Sequence, residues 1–244
     1  MRDIYTFLHV CSLKRYNEIF EEIWKKSLPL INISKKFYIG VVGPGRLNKT
    51  DFPDNVEIHY FNEDPITKQL PTEENFIKRS ISKDGDYFCH EFPTLNLIQK
   101  TCREHKCYVC YYHLRGVTSP LDNMPVVDQR HYMTYFNVER YDLCLSLLEQ
   151  GFDATGVDLS NWPSVHFSGN FWWSKSEHIN TLPSPDNLPG IPNFYAKEDR
   201  YHRHRCEMWI CSDPTKKYVE MWNSGLHPSQ KGFVRYPPEN YRKI

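Results

Sequence analysis

The chain has no excess of charge of either sign and no long hydrophobic run. Its 244 residues hold 30 Lys and Arg against 30 Asp and Glu. No bulk electrostatic attraction therefore draws it to nucleic acid or to an anionic membrane. No stretch of about 18 apolar residues occurs, so we expect no transmembrane helix. The first residues include Asp3 and no small-residue cleavage site, so they do not resemble a signal peptide, and we expect a cytoplasmic protein.

Metal-binding cysteine and histidine patterns are also missing. Cys107 and Cys110 lie in the apolar run CYVCYYH, which predicts a strand. Residues three apart on a strand face opposite sides, so these two thiols cannot bind one metal together. Cys206 and Cys211 have no second pair at zinc-finger spacing, and no His-Glu-x-x-His is present. We expect the eight cysteines to be mostly reduced and buried.

What the sequence does contain is an alternation of strand and helix patterns. Apolar runs predict strands at 4–10, 36–43, 56–61, 107–113, 152–158 and 217–223. Helical spacing of apolar residues predicts helices that begin at Tyr16 and at Pro93, and a third helix over about 128–150. The segment 62–87 is predicted to be a long polar connection, and 182–192 a proline-rich connection. Strand–helix–strand order favours a mostly parallel sheet. Without repeats or a clear boundary, we expect one domain over 1–244.

The segment SVHFSGNFWWSK, residues 164–175, fits neither strand alternation nor helical spacing. Gly169 allows a positive φ or close approach of a ligand. The aromatic triplet 171–173 offers flat rings with polar handles. Such a segment suits a sugar, but it equally suits a hydrophobic corner capped by a turn. The candidate sugar-binding residues are His166, Gly169, Asn170, Trp172 and Trp173.

A second candidate site follows the predicted strand 107–113. In open α/β sheets, ligands bind beyond the carboxyl ends of strands. His113 and Arg115 are therefore placed to meet a phosphate, and Gly116 would let the backbone approach it. An ordinary glycine turn after a strand explains the same residues equally well.

These motifs together resemble a known family. The runs YYHLRGVTS, MTYFNVERYDLC, FSGNFWWSKSEHINTLP and RCEMWI resemble small glycosyltransferases of bacterial surface-polysaccharide loci and of large DNA viruses. The resemblance extends from about Ile4 to His227. The chain has Arg115 where the family usually has lysine, which keeps the charge but changes a point charge into a fork of donors.

The resemblance implies a GT-A-like fold, meaning one Rossmann-like α/β domain with a mixed, mostly parallel central sheet. Its nucleotide-sugar part would span about 1–125, and its acceptor and catalytic part about 126–244. The implied partners are a UDP- or GDP-sugar donor and a glycan acceptor.

Metal dependence stays open. Most GT-A enzymes hold Mn²⁺ or Mg²⁺ with an Asp-x-Asp at the end of a central strand. Here the only such motif is Asp84-Gly85-Asp86, in the polar connection. Cationic side chains can equally neutralise a leaving diphosphate.

The resemblance also implies catalytic residues. Glu207 is the candidate general base, with a structural salt bridge to Arg203 or Arg205 as the alternative. Asp158 is the second candidate. His227 occupies the place of a late histidine on the diphosphate, or is simply structural.

The leading hypothesis is a nucleotide-sugar-dependent glycosyltransferase that inverts the anomeric centre by in-line attack. The main alternative is a non-catalytic carbohydrate-binding protein on the same scaffold. A metal-dependent hydrolase that uses the histidines is the weakest of the three, because no paired-ligand spacing occurs.

Overall fold

The computed structural model describes residues 2–80, 90–120, 122–188, 205–227 and 230–242. Nine strands occur in these ranges. They are β1 (Asp3–Cys11), β2 (Lys36–Val42), β3 (Val56–Tyr60), β4 (Cys107–His113), β5 (Ala154–Val157), β6 (Leu159–Ser160), β7 (His166–Phe167), β8 (Trp172–Lys175) and β9 (Tyr218–Trp222).

Helices connect the strands. They are α1 (Tyr16–Ile33), α2 (Glu73–Ser80), α3 (Phe92–Glu104), α4 (Met124–Thr134), α5 (Tyr141–Glu149), α6 (Ser176–Ile179) and α7 (Arg205–Trp209). A π-helical segment, Tyr135–Glu139, joins α4 to α5. None of the helices in the described ranges combines the length and the apolar character needed to span a membrane.

Seven strands form one sheet in the order β3-β2-β1-β4-β8-β5-β9. The strands β3, β2, β1 and β4 are parallel to their neighbours in this series, and β5 and β9 are parallel to each other. Only β8 runs antiparallel, between β4 and β5. The mixed, mostly parallel α/β sheet expected from the sequence is therefore confirmed, and strands from both halves of the chain contribute to it. The short strands β6 and β7 pair separately.

Hydrophobic layers cover both faces of this sheet. One layer contains the apolar side of α1, with Ile19, Phe20, Ile23 and Trp24 all buried, as the helical spacing predicts. The opposite layer is built on α3, α6 and α7. Cys110 packs in the first layer and Cys107 in the second, which confirms that the two thiols face opposite sides.

Two predicted elements differ from the structure. The expected helix over 128–150 is interrupted by the π-helical segment, and Arg140 leaves the helical region with φ −107° and ψ 40°. A π turn frees backbone carbonyls, and here the carbonyl of Asn137 accepts a hydrogen bond from Trp173 Nε1 at 2.8 Å. The polar connection 62–87 is not wholly irregular, since it contains α2.

Candidate functional site at the carboxyl edge of the sheet

The strand order changes direction between β1 and β4. From β1 the chain adds β2 and β3 on one side, and β4 then pairs with the other side of β1. In open α/β sheets such a change leaves a ligand-binding crevice outside the carboxyl ends of the strands. His9 and His113 stand opposite each other there. We call the line formed by the ends of β1, β2, β4, β5 and β9 and the beginning of β8 the carboxyl edge.

The loops after β1 and β2 form one fixed wall of this crevice. Ser12 Oγ donates to the carbonyl of Val42 at 3.1 Å and accepts from the amide of Gly45 at 2.9 Å. Gly43 has φ +114°, and a Cβ at this position would stand 2.5 Å from Ser12 Oγ. Only glycine therefore allows the two loops to meet this closely.

His9 is a buried, neutral histidine beneath the crevice. Its Nδ1 lies 2.8 Å from Thr94 Oγ1 on α3. Burial, assisted by the nearby positive charge that His113 can carry, lowers the pKa of His9 to about 3. His9 is thus a fixed hydrogen-bonding group at neutral pH.

His113 and Arg115 continue from β4 at the centre of the edge. His113 Nε2 donates to the carbonyl of Gly169 at 2.8 Å, and its ring meets the edge of Phe171 with 5.0 Å between centroids. Arg115 Nε donates to Gln129 Oε1 on α4 at 2.9 Å. Both side chains are partly exposed, and within the described ranges each makes a single side-chain hydrogen bond, so each keeps donor capacity for a ligand.

The two glycines expected to admit a ligand are needed for packing instead. Gly116 has φ +89°, and a Cβ there would stand 2.8 Å from Val126 Cγ1. Gly169 has φ +82°, and a Cβ there would stand 2.4 Å from Met133 Cε. Their missing side chains make room for α4, and the expected approach of a ligand to either glycine stays a prediction.

Asp158, the second candidate base, is buried and fully engaged. Its Oδ1 accepts from the amide and the hydroxyl of Ser224 at 2.7 and 2.8 Å. Its Oδ2 accepts from the hydroxyl of Tyr132 at 2.7 Å and lies 3.3 Å from Lys231 Nζ. A carboxylate with both oxygens occupied in this way holds the surrounding loops in place, and the role of Asp158 as second candidate base stays a prediction.

Lys231 is the most unusual group at the edge. Its side chain is only 9% exposed. Its ammonium donates to Ser168 Oγ at 2.8 Å and pairs with Asp158. Burial lowers the pKa of Lys231, while the Asp158 carboxylate opposes that shift. Since Arg115 also lies within electrostatic reach, two cations border the centre of the edge.

The aromatic triplet is part of the core. Trp172 and Trp173 are 0% exposed because β8 lies between two strands with helices on both faces. Their indole N–H groups donate to Asn170 Oδ1 at 2.9 Å and to the carbonyl of Asn137. Neither ring offers an open face, which fits the alternative of a hydrophobic corner, and sugar stacking on Trp172 and Trp173 stays an untested prediction.

Asn170 is likewise enclosed, and it joins a carboxylate that sequence reasoning missed. It has φ +57° and is 0% exposed. Its Nδ2 donates to Glu91 Oε2 at 2.6 Å, and the hydroxyl of Tyr111 donates to the same oxygen. Asn170 therefore fixes Glu91 at the start of α3, and its predicted contact with a sugar stays untested.

Glu207 lies on α7, half-buried, on the same face as Tyr111. Burial, and after it nearby carboxylates that include Glu207, raises the pKa of Tyr111 well above its ordinary value. Of the two arginines considered as its partners, Arg205 donates to the carbonyl of Leu188. Arg203 lies outside the described residues. Glu91 and Glu207 thus both lie within electrostatic reach of the Tyr111 hydroxyl.

The two remaining candidate histidines differ in burial. His166 is buried on β7, and its Nδ1 donates to the carbonyl of Ser164 at 2.8 Å. His227 is exposed, and its amide donates to Gln230 Oε1 at 3.0 Å. Their proposed contacts with sugar and diphosphate stay predictions.

The candidate metal pair Asp84 and Asp86 lies outside the described residues. Within the ranges that are described, no three His, Cys, Asp or Glu side chains come together in a way that could hold a metal ion. Dependence on Mn²⁺ or Mg²⁺ stays an open prediction.

The fold and edge define a mixed α/β protein with a seven-stranded, mostly parallel sheet that is compatible with a Rossmann-like fold and changes direction between β1 and β4. The model of the family described as "Domain of unknown function (DUF8361)" matches residues 62–237, and the chain belongs to that family. A search of curated proteins found no match.

Sequence reasoning missed Lys231 and Glu91. Lys231 follows no recognisable motif, and only the folded chain brings it to Ser168, 63 residues away. Glu91 did carry a weak signal, since it directly precedes the Phe-Pro that begins α3. An acidic residue at that position is typical of helix starts.

Proposed function

We propose that this protein is a glycosyltransferase that uses a nucleotide-sugar donor. The observation that carries the proposal is the change of strand direction between β1 and β4, at whose carboxyl ends His113 and Arg115 lie partly exposed. A nucleoside diphosphate needs a backbone crevice for the nucleoside and donors for its oxygens. The motif resemblance supports the same class of donor.

In the proposed reaction, a hydroxyl oxygen of the acceptor attacks the anomeric carbon of the donor sugar. A new glycosidic C–O bond forms, and the bond from the anomeric carbon to the diphosphate oxygen breaks. The hydroxyl proton passes to a carboxylate, for which Glu207 is the proposed acceptor. His113 and Arg115 stabilise the negative charge that develops on the leaving diphosphate.

Carbohydrate binding without transfer is the second candidate function. The observation that favours it is the saturation of Asp158, one of the two carboxylates expected to serve as base. The alternative predicts saccharide binding with no release of nucleoside diphosphate from a nucleotide-sugar.

A thermal-shift screen tests the proposal. UDP, GDP, UDP-glucose and GDP-mannose are each added with and without Mn²⁺, because a ligand that binds only the folded state raises the melting temperature. We expect at least one nucleotide to raise it. Arg115→Gln should lower the affinity for that nucleotide roughly tenfold, because the substitution removes one charge-assisted hydrogen bond.

Arg2→Gln is the matched control. Arg2 is an arginine beside the first residue of β1, at the opposite edge of the sheet, where it pairs with Glu177. The proposal is wrong if no nucleotide changes the melting temperature, or if Arg115→Gln and Arg2→Gln give the same nucleotide affinity as the unmodified protein.

A further inference from the structure

A second cavity opens at the carboxyl edge, beyond the β1/β4 crevice. Its volume is about 420 Å³, within the range of small-molecule sites. The loops that follow β5 and β9 form its walls, so it lies on the far side of β8 from His113. Its walls divide into a polar part, Ser160, Asn161 and Asn223, and an apolar part, Leu159, Val165 and Leu226.

Lys231 also lines this cavity and retains a free donor. An ammonium group has three N–H donors. Two of those of Lys231 go to Ser168 and Asp158. No third partner occurs among the described residues. A buried donor without a partner is costly, and a ligand hydroxyl or carbonyl in the cavity would satisfy it.

The charges around Lys231 favour a neutral ligand over an anion. The positive charge of Lys231 is already matched by Asp158 at 3.3 Å. A second carboxylate, Glu220, accepts from the amide of Leu159 at 2.8 Å in the cavity wall. A bound anion would therefore meet two carboxylates, Asp158 and Glu220, as well as two cations, Lys231 and Arg115, so no excess of positive charge attracts it. Hydroxyl groups carry no such penalty.

The shape of the lining matches a sugar. A sugar ring has an apolar C–H face and a rim of hydroxyls, and this cavity pairs an apolar wall with amide, hydroxyl and ammonium groups.

We infer that this cavity binds the sugar of the glycan acceptor, with Lys231 and Asn161 as its hydrogen-bonding groups. The inference rests on the proposed function, because the word acceptor assumes a donor in the β1/β4 crevice. The cavity lies two strands away from β4, which leaves the crevice itself to the nucleotide.

Ligand-observed saturation-transfer NMR tests the inference with methyl glycosides of glucose, galactose, mannose and N-acetylglucosamine. We expect at least one glycoside to bind the unmodified protein. Leu226→Trp places an indole in the cavity. It should weaken the binding of the glycoside by about tenfold or more, because added volume in a formed cavity displaces the ligand. Leu28→Trp is the control, since Leu28 is a 44% exposed leucine on α1.

The following results would each contradict the proposal that the cavity binds an acceptor sugar. Absence of binding by all four glycosides, or equal binding to Leu226→Trp and Leu28→Trp, overturns the inference. Displacement of the bound glycoside by 10 mM inorganic phosphate would show that the cavity is an anion site. Displacement of the glycoside by UDP-glucose or GDP-mannose would show that it is a donor-sugar site.

The same measurements separate this inference from the proposed function. If glycosides bind in the cavity but no nucleotide changes the melting temperature, the proposed glycosyltransferase function is wrong and the cavity is still a saccharide-binding site. A nucleotide effect without glycoside binding removes only the saccharide site.

Discussion

Two tryptophan-bearing segments only ten residues apart have opposite environments. Trp172 and Trp173 on β8 are 0% exposed, whereas Trp162 in the loop between β6 and β7 is 48% exposed. The denser aromatic cluster is thus the buried one. A strand inserted between two others has neighbours on both sides and helices on both faces, and a loop has neither.

The comparison extends to the polar residues of the two segments. Asn170, beside the buried indoles, has its amide occupied by Glu91 and Trp172. Asn161, beside Trp162, has no hydrogen-bond partner among the described residues and lines a cavity. Residue types alone made Asn170 the better ligand candidate. The contacts favour Asn161.

The largest expected difference between the segments is in stability. Trp173→Ala should lower the free energy of unfolding by about 3–5 kcal/mol, because a fully buried indole leaves a cavity. Trp162→Ala should change it by about 0.5 kcal/mol or less, as for surface sites in general. Urea unfolding followed by circular dichroism measures both. Equal losses in the two variants would contradict the comparison.

The second largest expected effect on stability comes from the buried ion pair between Lys231 and Asp158. Lys231→Met should cost about 3 kcal/mol, because it leaves the buried Asp158 carboxylate without its cation. Adding Asp158→Asn should recover part of that loss, and asparagine tolerates the φ of +53° found there.

Lys35→Met is the control for this pair. Lys35 pairs with Asp3 at 2.6 Å, and both side chains are more than half exposed. Solvent screens that pair, so its loss should lower stability far less than the loss of the buried pair. A loss in Lys35→Met as large as that in Lys231→Met would mean that burial does not matter for these pairs.

The smallest effect concerns pH and His9. Its pKa of about 3 in the folded chain lies below the ordinary value of 6.5. The unfolded chain therefore binds the extra proton first as pH falls, and stability is lost below about pH 6.5. The His9 contribution should fall by about 1 kcal/mol between pH 6.5 and 5.5.

His9→Asn should remove that part of the pH dependence, while the exposed His105→Asn should leave it unchanged. Urea midpoints at the two pH values measure the slope for each variant. Identical slopes in His9→Asn and the unmodified protein would show that His9 titrates normally.

Much of the fold was predictable from local pattern. The strands β1 to β4, the buried side of α1 and the opposite orientation of Cys107 and Cys110 follow from side-chain periods of 2 and 3.6 residues. These periods depend only on neighbours in sequence. The placement of His113 and Arg115 at a strand end was predictable for the same reason.

The sequence by itself therefore determined the α/β class, the mostly parallel sheet and the polar residues at the end of β4. Only the tertiary structure decided that β8 enters the sheet antiparallel and buries Trp172 and Trp173. It alone joined Glu91 to Asn170, 79 residues away, and carried Lys231 beneath the loop of Trp162. The reason is physical: local periodicity fixes which face of an element is apolar, but contacts between distant segments decide which faces are covered.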